Sequence, residues 1–167
     1  WDFSDPGDTA NGYQDLLHRD HPEMRITHFV GPYTFTDPAV TPARQDALVA
    51  WVKKQRDTFK DEIGLHIHPY CNFVEHAGLT CVTDQSTVYP GGDTTGYTIK
   101  LGAYGRTNMG ILLEHAAQLF EQKGLGRPVT FRAGGWTATL ETVQALAAML
   151  DAAAYTDRAA YDRALFE

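Results

Sequence analysis

Two cysteines, Cys71 and Cys81, are all that 167 residues contain. So few exclude a disulfide framework, and with no Cys-x-x-Cys pair they offer no thiolate metal cage. They are read either as one bridge, if the chain is exported, or as two buried thiols. No apolar run approaches the roughly 20 residues that cross a bilayer, and no basic run is present. With a formal net charge of −7, nucleic acid and anionic membrane surfaces are poor partners, whereas a neutral sugar is not disfavoured. Gly-x-Gly-x-x-Gly, Gly-x-x-x-x-Gly-Lys-Ser/Thr and Gly-x-Ser-x-Gly are all absent, so nucleotide binding and serine-hydrolase chemistry have no support. The chain begins at Trp1 without a signal peptide. A processed secreted protein and an excerpt both remain open, with export slightly favoured.

What is present is ordinarily globular, 43% apolar and 21% charged. Residues 1–167 are read as a single domain with a real core. Trp1–Phe3 reads as the last residues of a strand, followed by a turn-rich loop with Asp2, Asp5 and Asp8 nearby. Tyr13, Leu16 and Leu17 recur at helical spacing, and residues 24–30 read as a strand. Thr41 caps a helix with Pro42 at its first position and Leu48, Trp51, Val52, Gln55 and Phe59 on one face. Residues 71–107 form a long connection rich in Gly, Thr and Tyr, with a possible strand at 97–101. A connection that long inside a compact domain suits a binding loop or lid. A helix capped by Asn108 follows, then a strand at 128–132 ending in Arg132. The next helix opens at Thr139 and presents Leu140, Val143, Ala147 and Leu150 on one face. This alternation argues for a parallel sheet with helices outside, whose site lies at the C-terminal strand ends.

The stretch Asp61-Glu62-Ile63-Gly64-Leu65-His66-Ile67-His68-Pro69-Tyr70 stands out. Alternation of faces in a strand puts His66 and His68 on the same side, at the end where Pro69 stops the ladder. Two imidazoles so placed make half a metal site. The other reading is a pair of structural histidines bonded to carbonyls. Asp61 and Glu62 are expected to keep the far end of the strand in solvent. Mid-strand His28 reads as a core residue, with a third-ligand role as the lesser option. His76 reads as a solvated loop residue.

In order, the strand-end acids, Ile26-Thr27-His28-Phe29-Val30, the His66/His68 stretch and Phe131-Arg132-Ala133-Gly134-Gly135-Trp136 resemble the motifs of the polysaccharide deacetylases of the NodB-homology class, carbohydrate esterase family 4. The resemblance covers most of residues 1–147. It implies a deformed seven-stranded (β/α) barrel and one divalent ion, commonly zinc. The implied activity is hydrolytic removal of acetyl groups from a glycan. It further implies Asp5, His66 and His68 as metal ligands, Asp2 as general base and Arg132 as the residue that orients that base. Tyr70, Tyr104 and Trp136 are the aromatic faces for sugar rings. The chain departs from the family pattern in four ways. Ser4 precedes Asp5 in place of a second Asp, the histidines are two apart, Gly134 replaces a Pro, and the late Leu-x-His motif is missing. Two alternatives stay open: an amidohydrolase-type metal-dependent hydrolase and a non-catalytic glycan-binding barrel.

Overall fold

The computed structural model describes residues 9–84 and 95–153, with side chains for 12–84 and 95–150. The elements are α1 (Thr9–Asp20), β1 (Thr27–Val30), α2 (Pro42–Lys54), β2 (Glu62–Ile67), α3 (Cys71–His76), α4 (Gly105–Gln122), β3 (Phe131–Ala133) and α5 (Leu140–Ala153). The three strands form one parallel sheet in the order β1-β2-β3. His28 lies opposite Ile63, and His66 lies opposite Arg132.

Helix α2 starts as its sequence dictates. The Thr41 side chain accepts the Arg44 N–H, and Pro42 sits where no N–H is needed. Its apolar stripe, Leu48, Trp51 and Val52, is buried. The helix then widens into a π turn over Gln55–Phe59, and Lys60 takes a left-handed φ of 65°. That reversal sets Asp61 directly beneath the first residue of β2. Helix α4 buries Met109, Leu112, Leu113, Ala116 and Phe120 against the same core as Leu65, Ile67 and Phe73.

The sheet corrects the barrel expectation. Among the described residues it has three strands and is not closed, too few for a seven-stranded barrel. The physical reason lies in the short ladders. The stretch expected as a strand over 24–30 pairs only from Thr27 to Val30, and that over 128–132 only over Phe131–Ala133. The segment 97–101 makes only an isolated bridge at Ile99 and leads into a 3-10 turn at Leu101–Tyr104. Trp1–Phe3 and residues 154–167 lie outside the described residues.

Other expectations also shift. Helix α4 begins at Gly105, with Asn108 inside it rather than capping it. On α5 the buried residues are Thr142, Ala145 and Met149, while Leu140 and Val143 are exposed. Helix α5 packs on α4. Cys71 and Cys81 form a disulfide with Cα atoms 5.0 Å apart, closing a loop around α3. No helix among the described residues is long and apolar enough to cross a membrane.

Candidate functional site

Two polar clusters lie at opposite ends of β2. The first is at the C-terminal end. His66 and His68 stand with ring centroids 4.8 Å apart and planes at 86°. His66 Nδ1 donates to the Arg132 carbonyl at 2.9 Å, and His68 Nδ1 donates to the Tyr97 carbonyl, also at 2.9 Å. A carbonyl only accepts, so in each neutral ring the proton sits on Nδ1 and the lone pair on Nε2. This is the arrangement by which outer-shell partners orient metal-binding imidazoles.

The surrounding backbone is shaped for this pair. A Cβ at Gly134 would lie 2.5 Å from the Ile67 carbonyl and 2.7 Å from the His68 ring. Only glycine lets the chain leaving β3 pass so close to the histidine. Gly96 has a φ of +86°, and a Cβ there would meet the Pro69 carbonyl at 2.3 Å. That tight passage delivers the Tyr97 carbonyl to His68.

Aromatic rings extend the site. Tyr97 stacks on His68 at 4.3 Å, Tyr70 lies 5.2 Å from Tyr97, and Tyr33 lies 4.6 Å from Tyr70. On the other side the Arg132 guanidinium sits 4.5 Å over the Trp136 ring. Trp136 is 79% exposed and holds a left-handed φ of 60°. A bulky residue in that conformation is uncommon and concentrates at functional positions.

The structure thus brings together four of the residues singled out in the sequence: His66, His68, Arg132 and Tyr70, with Trp136 beside Arg132. Asp2 and Asp5 lie outside the described residues. Tyr104 is a correction. It is 4% exposed, and its hydroxyl accepts the Val82 N–H at 3.1 Å, so its ring is core rather than a face for sugar. Tyr97 occupies the position that Tyr104 was expected to fill. Its signal in the sequence was only that it follows Gly96.

The second cluster, at the N-terminal end of β2, was missed. Asp61 is 3% exposed, not in solvent as expected, and His18 and His28 are 1% and 2% exposed. Both histidines donate through Nε2 to Asp61 Oδ2 at 2.7 Å, and the Ile26 N–H reaches Oδ1 at 3.1 Å. His18 stacks on Phe59 at 4.2 Å, and His28 meets the Trp51 ring edge-on. Burial alone would raise the Asp61 carboxyl. The bonds from His28, the Ile26 N–H and His18 outweigh it and hold the group below the usual carboxylate range. Burial pushes His28 down, against the opposing pull of Asp61. Asp61 is therefore ionised and His28 neutral at pH 7.

These three residues are a group that could hold a metal ion, since their ligand atoms all lie within 4.8 Å of one another. Yet Asp61 already has its bonds filled by protein donors, and the group sits at the sheet end opposite to that where open α/β sheets bind ligands. His18 Nδ1 has no hydrogen-bond partner among the described residues. Its role is best described as a buried bracket from α1 to β1 and β2.

His76 is exposed, as expected, but lies on a helix rather than a loop. It ends α3, and its Nδ1 lies 2.9 Å from His115 Nε2 on α4. Burial first, and then the neighbouring His76, push His115 below the usual imidazole range. Compared with family models, with curated proteins and with solved structures, the chain matches none.

Proposed function

We propose that the chain is a metal-dependent hydrolase that removes acetyl groups from a glycan, as its motifs' resemblance to the polysaccharide deacetylases implies. The observation that carries this reading is the pair of carbonyl-pinned histidines at the C-terminal end of β2, both with Nε2 lone pairs. His66 and His68 suit one divalent ion, zinc, as two ligands, and the resemblance implies Asp5 as the third. Bound there, the ion supplies Lewis acidity, polarising an acetyl carbonyl and making water a stronger acid near neutral pH.

The rest is work for the chain's own groups. The Arg132 and Tyr97 carbonyls keep both imidazoles in one tautomer and orientation. Asp2 takes the proton of the attacking water as general base. Arg132 is always charged and its guanidinium plane is steadied by Trp136, so it can hold that carboxylate through two parallel bonds. Trp136, Tyr70 and Tyr97 offer apolar ring faces to sugar rings. The Cys71–Cys81 bridge suits an oxidising compartment and so favours an exported protein.

The test measures zinc content and acetate release from an acetylated chito-oligosaccharide, for the native chain and for His66→Ala/His68→Ala. The native chain is expected to carry one zinc ion and release acetate. The double variant should lose both while keeping its circular dichroism spectrum. Wild-type acetate release from the zinc-free double variant would overturn the reading.

A further inference from the structure

A second pair of adjacent imidazoles joins α3 to α4. His76 Nδ1 and His115 Nε2 are 2.9 Å apart, with ring centroids at 4.9 Å and planes tilted by 31°. His115 is held from behind by Phe73, which stacks on it at 5.6 Å and is itself fully buried. His76 is exposed, so the pair opens to solvent.

We propose that His76 and His115 form a binding site for Cu²⁺ or Ni²⁺, one nitrogen from each ring and water in the remaining positions. The spacing is compatible with one ion class. Metal–imidazole bonds are about 2.0–2.1 Å, so two ligands at a right angle sit about 2.9 Å apart and two at the tetrahedral angle about 3.4 Å. The observed 2.9 Å is the hydrogen bond between the two rings, and a right-angled pair of ligands keeps that separation with only a turn of the rings. Right-angled nitrogen and oxygen coordination is the preference of Cu²⁺ and Ni²⁺, and imidazole suits both.

Without an ion, one ring donates its N–H to the other. On binding, that proton is carried by the donor's other ring nitrogen. Both facing nitrogens then present lone pairs, and no net proton is released. Beside the pair, a groove of about 430 Å³ runs along α4 past Thr107, Glu114 and Gln118. Glu114 is committed to Arg127, with oxygen and nitrogen 2.5 Å apart, so water fills the remaining coordination. The site differs in kind from the sheet-end pair, whose Nδ1 atoms are bonded to carbonyls. An ion here ties the end of α3 to α4, and the start of α3 carries Tyr70 and the disulfide.

The test uses the full chain with His66→Ala and His68→Ala, so that the sheet-end pair contributes nothing. After chelator treatment the protein is titrated with Cu²⁺ by calorimetry and examined by electron paramagnetic resonance. One equivalent should bind, with hyperfine coupling from two imidazole nitrogens. Adding His76→Ala, or separately His115→Asn, should weaken binding by more than the roughly 10–100-fold that loss of an outer-shell partner costs. Circular dichroism checks that each variant keeps its fold. Absence of a bound Cu²⁺ equivalent in the parent, or unchanged affinity on adding His76→Ala, overturns the proposal.

Discussion

Tyr97 holds His68 twice, by its carbonyl at 2.9 Å from Nδ1 and by its ring stacked at 4.3 Å on the imidazole. One residue thus sets both the tautomer and the plane of a proposed metal ligand. The carbonyl is delivered by Gly96 in its left-handed conformation. Gly96→Ala should therefore lower zinc affinity by about 10–100-fold, the usual effect of disturbing a ligand's outer partner. Calorimetric titration of the chelator-treated protein checks this, and unchanged affinity would show that the Tyr97 contact does not orient the ligand.

Gly134→Ala drives a methyl group into the Ile67 carbonyl and the His68 ring, at 2.5 and 2.7 Å. Overpacking of this kind costs about 1–3 kcal/mol. The expected outcome is a lower midpoint in urea together with weaker zinc binding. Loss of stability with full zinc affinity would place the strain in the backbone alone.

Trp136→Gly should leave stability nearly unchanged. Relief of a left-handed conformation gains about 1 kcal/mol, and loss of the exposed stack with Arg132 costs about 0.5–1 kcal/mol. Turnover of a polymer should fall far more than turnover of a small acetyl ester. Equal losses on both substrates would assign Trp136 to the reacting centre through Arg132 rather than to sugar binding.

Asp61→Ala removes the one acceptor shared by two buried histidines. Breaking a buried, charge-assisted network of this kind costs about 3–5 kcal/mol. Thermal or urea unfolding should show it as a large drop without a change in the secondary-structure content of whatever remains folded. A loss within the range of an ordinary surface substitution would mean that the bracket contributes little.

The same bracket gives the metal-free protein a pH dependence. His28 has a lowered folded pKa, so below about pH 6.5 the unfolded chain takes up a proton that the folded chain resists. Its contribution is complete above that pH and falls as pH drops toward the folded value. Asp61, also lowered, adds its own loss below about pH 4. In the presence of chelator, stability should thus fall between pH 7.5 and 5.5. His28→Asn should start lower at pH 7.5 but lose less across that window. A steeper fall in the variant would contradict the assignment.

Periodicity was a good guide where one element decides the outcome. Thr41 and Pro42 start α2 for local reasons, and the same-face placement of His66 and His68 follows from the pleat of β2. It misled where a side chain's fate depends on distant residues. Tyr13, Leu16 and Leu17 recur at the helical spacing of α1, yet Tyr13 and Leu16 are exposed, and among the helix's described side chains the buried one is His18. Nothing local says that His18 will meet Asp61, 43 positions away. Asp61 looked solvated because acids at strand starts usually are, and only the two imidazoles make its burial tolerable. Sheet closure was equally illegible, since it depends on how many residues each strand pairs with its neighbour, and that is set by tertiary packing rather than by alternation.

Lys60 turns the chain through a left-handed residue, and Asp61 enters the interior one position before β2 begins. This gives the strand a mechanical zero. Pairing in a sheet repeats every two residues, so a slip of one would turn His66 and His68 to the opposite face. The same slip would pull the ionised Asp61 away from His18, His28 and the Ile26 N–H together. An error at the C-terminal end, where the imidazoles alone could not correct it, is thus penalised roughly 17 Å away at the other end of the strand, over five residues of about 3.3 Å each. The buried carboxylate acts as an alignment pin, and the chain cannot assemble its histidine pair on the wrong side without first leaving a charge unpaired in its core.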